Sequence, residues 1–72
     1  MEIQVRRVSN RKLREARERA RIRPGMLAEQ IGVKESAVSY YESGHKSPSA
    51  STLASIARAL HVTMDDLMED VE

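Results

Sequence analysis

The spacing of small and apolar residues between Pro24 and Ser43 limits what this chain can fold into more than any other feature. Leu27, Ala28 and Ile31 fall on one face of a short helix, and Val38 and Tyr41, three apart, fall on one face of a second. Gly32 lies between them and can take the positive φ that a tight helix-to-helix turn requires. Ala28 is small enough to let the two helices approach closely. Helices joined in this way cross steeply, and the outer face of the second stays free.

The flanking sequence supplies the rest of a helical domain. Ser9 is a good N-cap for a first helix running to about Arg21, with Val8 and Leu13 placed as a hydrophobic staple. Leu13, Ala16 and Ala20 form its narrow apolar stripe, and Glu15 and Arg19 are an i,i+4 ion pair in the favourable order. Ile22 packs inward just after it. The second helix covers Pro24 to Ile31, with proline tolerated in the first turn and Arg23 a poor cap. The third covers Glu35 to Ser43 and stops at Gly44. Ser49 or Ser51 caps a fourth that runs to about His61, with Leu53, Ile56, Ala57 and Leu60 at i, i+3, i+4, i+7. Thr63 caps a fifth, with Asp65 and Asp66 in its first turn and Met64, Leu67, Met68 and Val71 apolar. The expected fold is therefore all-α with five helices. Residues 1–8 read as an extended arm and residues 9–72 as one helical domain.

Composition narrows the function. With 72 residues this is a single small domain, whose core supplies on the order of 3–5 kcal/mol. Dimerisation is a natural further source of stability. There is no cysteine and only two separated histidines, so neither a thiolate metal site nor a cofactor is expected. No apolar run approaches the roughly 18 residues needed to span a bilayer. The basic N-terminal residues are not followed by the apolar stretch of a secretory signal, so a cytoplasmic location is expected, with no membrane partner.

The net charge of +1 conceals an asymmetry. Residues 1–23 hold nine Lys/Arg against three Glu, residues 24–48 two against three, and residues 49–72 one against five Asp/Glu. A basic front of this kind suggests a polyanionic partner. An arginine-rich helix can bind RNA, but this one lacks flanking aromatics on which bases stack.

The free face of the third helix carries Glu35, Ser36, Ser39, Tyr40 and Ser43. It has the shape of a helix that enters a DNA major groove. Serine hydroxyls can donate to or accept from base edges and phosphates. Glu35 can either accept from a cytosine N4 amine or sit favourably on its own helix dipole. Lys46, in the loop after Gly44, is a candidate phosphate contact. Arg6 and Arg7 are candidates to follow a backbone or a minor groove. An enzyme is not expected: Ser36 and Ser39 have no histidine within triad reach, and there is no glycine-rich phosphate loop or metal-ligand cluster.

Residues 13–68 resemble the phage-repressor-like (Xre/Cro-type) helix-turn-helix domain. The resemblance lies in Leu13 and Arg14; Leu27-Ala28 with Ile31-Gly32-Val33; Ser36, Val38, Ser39 and Glu42-Ser43-Gly44. It continues through Lys46, Pro48-Ser49, Thr52-Leu53, Ile56-Ala57, Ala59-Leu60, Val62 and Asp65-Asp66-Leu67 without a gap. It implies a five-helix lambda-repressor-like domain, usually dimeric, that binds operator DNA and regulates transcription. Carried over by position, Glu35, Ser36, Ala37, Ser39 and Tyr40 fall where that family reads bases and nearby phosphates, and Lys34 and Lys46 where it grips phosphates; Ser43 is a further candidate phosphate contact. Arg23 and Pro24 replace the Ser/Thr-Gln pair common at the start of the second helix, so Arg23 is expected to take over backbone binding. Lys34 and Glu35 also depart from the family's usual residues, so base preference does not transfer.

The implied function is a sequence-specific DNA-binding regulator, most simply a homodimeric repressor on a pseudo-palindromic double-stranded operator, with no small-molecule effector. Met64, Leu67, Met68 and Val71 are the candidate dimer face. The alternatives are an antitoxin whose acidic C-terminal part holds a toxin, and a protein-interaction adaptor that has lost DNA binding.

Overall fold

The computed structural model describes residues 5–71. The chain forms strand β1 (Val5–Val8), helices α1 (Asn10–Arg19), α2 (Pro24–Ile31), α3 (Glu35–Ser43) and α4 (Ala50–Leu60), a 3-10 turn (Asp65–Leu67) and strand β2 (Met68–Val71). The two strands pair antiparallel in register Val5↔Val71 to Val8↔Met68.

Helix starts and stops follow local chemistry. The Ser9 and Ser49 side chains accept from the N–H of Lys12 and Thr52 and so cap α1 and α4. The helix-ending glycines take the left-handed conformation, Gly32 at φ 75° and Gly44 at φ 85°. The turn between α2 and α3 thus has the backbone that Gly32 was expected to supply. Helix α1 ends two residues before Arg21, which itself turns left-handed at φ 58°. Ala20 is consequently an exposed cap residue and not part of the apolar stripe.

The core is built from Leu13, Ala16, Leu27, Ala28, Val38, Leu53, Ile56, Ala57, Leu60 and Leu67, all buried. Val8, Ile22, Ile31, Val33, Tyr41, Val62 and Met68 pack around it. The close α2–α3 approach rests on Ala28 and Val38, which are 3% and 1% exposed.

Among the described residues a fifth α-helix does not form; the fold is mostly helical, with four α-helices and a small sheet. Thr63 and Asp66 do begin a helix turn: the Thr63 N–H donates to Asp66 Oδ2 and the Asp66 N–H to Thr63 Oγ1, each at 3.0 Å. The turn stops at Met68, whose backbone is extended at φ −106° and ψ 157°. Pairing with β1 outcompetes helix continuation here. It sets Arg6 opposite Asp70 and Arg7 opposite Glu69, and cross-strand pairs of opposite charge stabilise a ladder. Leu67, one of the four apolar residues expected at a dimer face, is wholly buried in the core. Met64 is exposed, and Met68 and Val71 are half-buried.

An ion pair ties α1 to α3. The Arg17 guanidinium donates from Nε to Glu42 Oε2 at 2.5 Å and from Nη2 to Glu42 Oε1 at 3.0 Å, and its Nη1 donates to the Ile22 carbonyl at 2.8 Å. The two side chains are only 12% and 11% exposed. The hydrogen bonds that Arg17 donates to Glu42, ahead of the carboxylate's charge, hold the Arg17 pKa above the ordinary arginine value.

Candidate nucleic-acid interface

Helix α3 is held by its inward Val38 and half-buried Tyr41, so its opposite face is turned to solvent. Glu35, Ser36, Ser39, Tyr40 and Ser43 are all exposed, and Ala37 is half-buried. Arg23, Lys34 and Lys46 are exposed too, and none of them forms an ion pair among the described residues. Arg23 and Lys34 are the N-cap residues of α2 and α3, and neither helix start has a side-chain cap. No side-chain hydrogen bond caps either helix start, although Pro24 has no N–H of its own to offer, and the free amides of such helix ends favour anions.

Three side chains gather at the C-terminal end of this face. Lys46 Nζ lies 5.2 Å from the centroid of the Tyr40 ring, and the His45 ring lies 5.9 Å from it. The Lys46 N–H donates to the Tyr40 carbonyl at 3.3 Å. Ser43 Oγ donates to the same carbonyl at 3.2 Å and lies 3.2 Å from His45 Nδ1. The loop after Gly44 therefore folds back on α3 and holds Lys46 beside the hydroxyl face. Sequence alone puts Lys46 in the loop after Gly44; the Tyr40 ring that organises it and His45 could be found only by knowing the loop path.

At the other end, the Glu35 carboxylate rests against the first turn of α2. A methyl group built on Gly25 would come within 2.5 Å of Glu35 Oε1. Glu35 thus lies at the positive end of its own helix and against that of α2.

Part of the basic front of the chain is spent inside the molecule: Arg6, Arg7, Arg11 and Arg17 have acid partners among the described residues. Arg6 pairs with Asp65 and with Asp70, the latter at 3.2 Å, and Arg7 pairs with Glu69 at 3.6 Å. The Asp65 hydrogen bond is the main reason the Arg6 pKa is raised. Lys12 Nζ donates to the Met68 carbonyl at 2.9 Å. Glu15 pairs with Arg11 at 2.6 Å rather than with Arg19. A pair with Arg11 one turn earlier satisfies the same carboxylate, and the structure selects it.

No group of acids, histidines or cysteines among the described residues could hold a metal ion, and no helix among them is long and apolar enough to cross a membrane.

A four-helix domain with a short turn before an exposed, hydroxyl-bearing third helix defines a helix-turn-helix protein. The helix-turn-helix family matches residues 13–67, and the chain belongs to it. Its fold is shared with the P22 c2 repressor bound to a synthetic operator, at TM-score 0.76 and 28% identity over 81% of this chain and 88% of that one. The clp gene regulator ClgR of Corynebacterium glutamicum superposes at TM-score 0.78 with 31% identity, over 81% of this chain and 62% of ClgR. The restriction-modification controller protein C.AhdI of Aeromonas hydrophila gives 0.77 and 28%, over 81% and 88%. The chain is thus homologous to DNA-binding helix-turn-helix transcription regulators. No curated protein sequence matches it.

Proposed function

We propose that the chain is a homodimeric repressor that reads a pseudo-palindromic operator with α3 in the major groove. One observation carries the reading: the exposed hydroxyl face of α3 is bordered at both ends by cations without an acid partner among the described residues, Arg23 and Lys34 on one side and Lys46 on the other. Ser36, Ser39 and Tyr40 approach base edges. Glu35 approaches them only by leaving Gly25, and the half-buried Ala37 offers a methyl at the edge of the face. Arg23, Lys34, Ser43 and Lys46 hold the flanking phosphates and fix the register. Arg6 and Arg7 reach a phosphate only by giving up their carboxylates. Two copies would place their recognition helices about 34 Å apart on successive grooves and block polymerase wherever the site overlaps a promoter.

Selection of bound sequences from random duplex DNA tests this. A two-fold symmetric site is expected, with binding that weakens steeply as salt rises. Failure to retain any duplex at low salt would overturn the reading. The antitoxin reading drew on free acids near the C-terminus, but Asp65, Glu69 and Asp70 are already engaged with Arg6 and Arg7.

A further inference from the structure

The small sheet has two outer edges, and they are not equivalent. The Ser9 N–H donates to the Leu67 carbonyl at 2.8 Å, one step beyond the Val8↔Met68 pair. Hydrogen-bonded and non-bonded pairs alternate in an antiparallel ladder. Arg7 and Glu69 are therefore bonded to each other, while the main-chain groups of Arg6, Val8, Met68 and Asp70 point to the outside. On β2 the chain itself takes up half of these: the Met68 N–H donates to the Asp65 carbonyl, and its carbonyl accepts from Lys12. On β1 no turn, cap or side-chain bond among the described residues reaches the N–H or C=O of Arg6 or Val8.

An open edge is usually guarded by charge. Here the guard is cancelled, because each β1 arginine has its counter-ion on β2. The edge also carries Val5, 56% exposed, and opens on a hollow of about 340 Å³ lined by Val8, Tyr41 and Pro48 together with Arg7, Asn10 and Lys46. A two-stranded ribbon of four pairs is marginal alone and gains from added strands.

We propose that the outer edge of β1 is where a second copy of this chain pairs, antiparallel, giving a four-stranded sheet about a two-fold axis at Arg7. This interface gives the dimer of the function proposed above its geometry and rests on that reading. Arg6 of one copy then lies opposite Val8 of the other, and both outward-pointing donor–acceptor sets are satisfied twice. The two Arg7 side chains meet at the axis, each already neutralised by Glu69 of its own copy. The same patch serves both partners, as a closed two-fold dimer requires. The edge residues and the hollow, rather than Met64, Met68 and Val71, form the contact.

The test is sedimentation equilibrium of the full chain without DNA. Arg6→Pro removes one outward N–H per copy and leaves the β1–β2 ladder bonds intact; Arg6→Ala removes the same side chain but keeps the N–H. Losing two such bonds per dimer should raise the dimer Kd roughly 30-fold in Arg6→Pro relative to Arg6→Ala. If Arg6→Pro fails to fold by circular dichroism, oxidation of single-cysteine variants decides instead, since the chain has no other cysteine. Arg7→Cys should cross-link across the axis, where Cα atoms lie about 4.5 Å apart. Val5→Cys should not, being about 13 Å from its copy in this register. A chain that stays monomeric up to about 1 mM, equal Kd values for the two Arg6 variants, or cross-linking at 5 and not at 7 would overturn the proposal. A cross-linking dimer that binds no DNA would sink the operator reading alone.

Discussion

Single side chains decide what the α3 face can do. Lys46, held over the Tyr40 ring, is placed to neutralise a phosphate rather than read a base. Lys46→Ala should weaken binding to every duplex alike and reduce the salt slope by about 1 per protomer in a filter-binding titration; an unchanged slope would remove it from the backbone contacts. Glu35 is the one acid at the start of this face, and its carboxylate lies against the first turn of α2, where a phosphate would otherwise be drawn. Glu35→Gln should tighten non-specific binding roughly fivefold at low salt, the worth of one repulsive charge at about 4 Å in water. A loss confined to one operator position would make Glu35 a base reader instead. The outward direction of Ser36, Ser39 and Tyr40 was legible, because a 3.6-residue period with Val38 and Tyr41 inward leaves them nowhere else to point. The Tyr40–His45–Lys46 cluster was not, because it depends on a loop returning over α3, and no local pattern encodes that path.

Between elements, the Arg17–Glu42 pair carries weight that charge counting hid. The two residues lie 25 apart, one counted with the basic front and the other with an acidic helix end. Glu42→Gln would leave a guanidinium buried without its counter-ion. The expected loss is roughly 3 kcal/mol, a fall in Tm of more than about 10 °C for a domain this small. Arg17→Met with Glu42→Leu should recover much of it in thermal melts, because the orphaned charge is then gone. The turn before β2 shows the opposite limit. The Thr63 hydroxyl does accept from the Asp66 N–H, yet the helix expected there lasts one turn, because the chain beyond it pairs with a strand at the far end of the sequence. The backbone hydrogen bond from Thr63, followed by that from its hydroxyl, lowers the Asp66 pKa. A lowered carboxyl contributes stability above its unfolded value of about 4, and that contribution fades as pH falls through the folded value. Asp66→Asn should therefore narrow its stability gap to the wild type as acid unfolding is followed below about pH 4; a constant gap would show that the Thr63 bonds do not favour the ionised form.

Across the whole molecule, the charge asymmetry of the sequence is mostly resolved by folding. The acidic back of the chain returns to its basic front through the β1–β2 ribbon, so Arg6 and Arg7 face Asp65, Glu69 and Asp70 before they face any partner. The polyanion-binding charge left over sits elsewhere, on Arg23, Lys34 and Lys46 at the borders of α3 and on Arg14, Arg19 and Arg21, which form no ion pair among the described residues. Counterion release registers only cations that a phosphate neutralises. Arg6→Gln with Arg7→Gln should then change the salt slope of operator binding by less than about 1 per protomer, whereas two arginines laid on the backbone would change it by about 2 per protomer. Glu69→Gln with Asp70→Asn should do the reverse: the freed arginines steepen the slope and tighten binding at low salt, while thermal melts record a weaker ribbon. If the acid variants left the slope unaltered and the arginine variants flattened it by the full 2, the arm would be a DNA contact in the folded protein, and the ion pairs of the ribbon would give way to phosphate on binding.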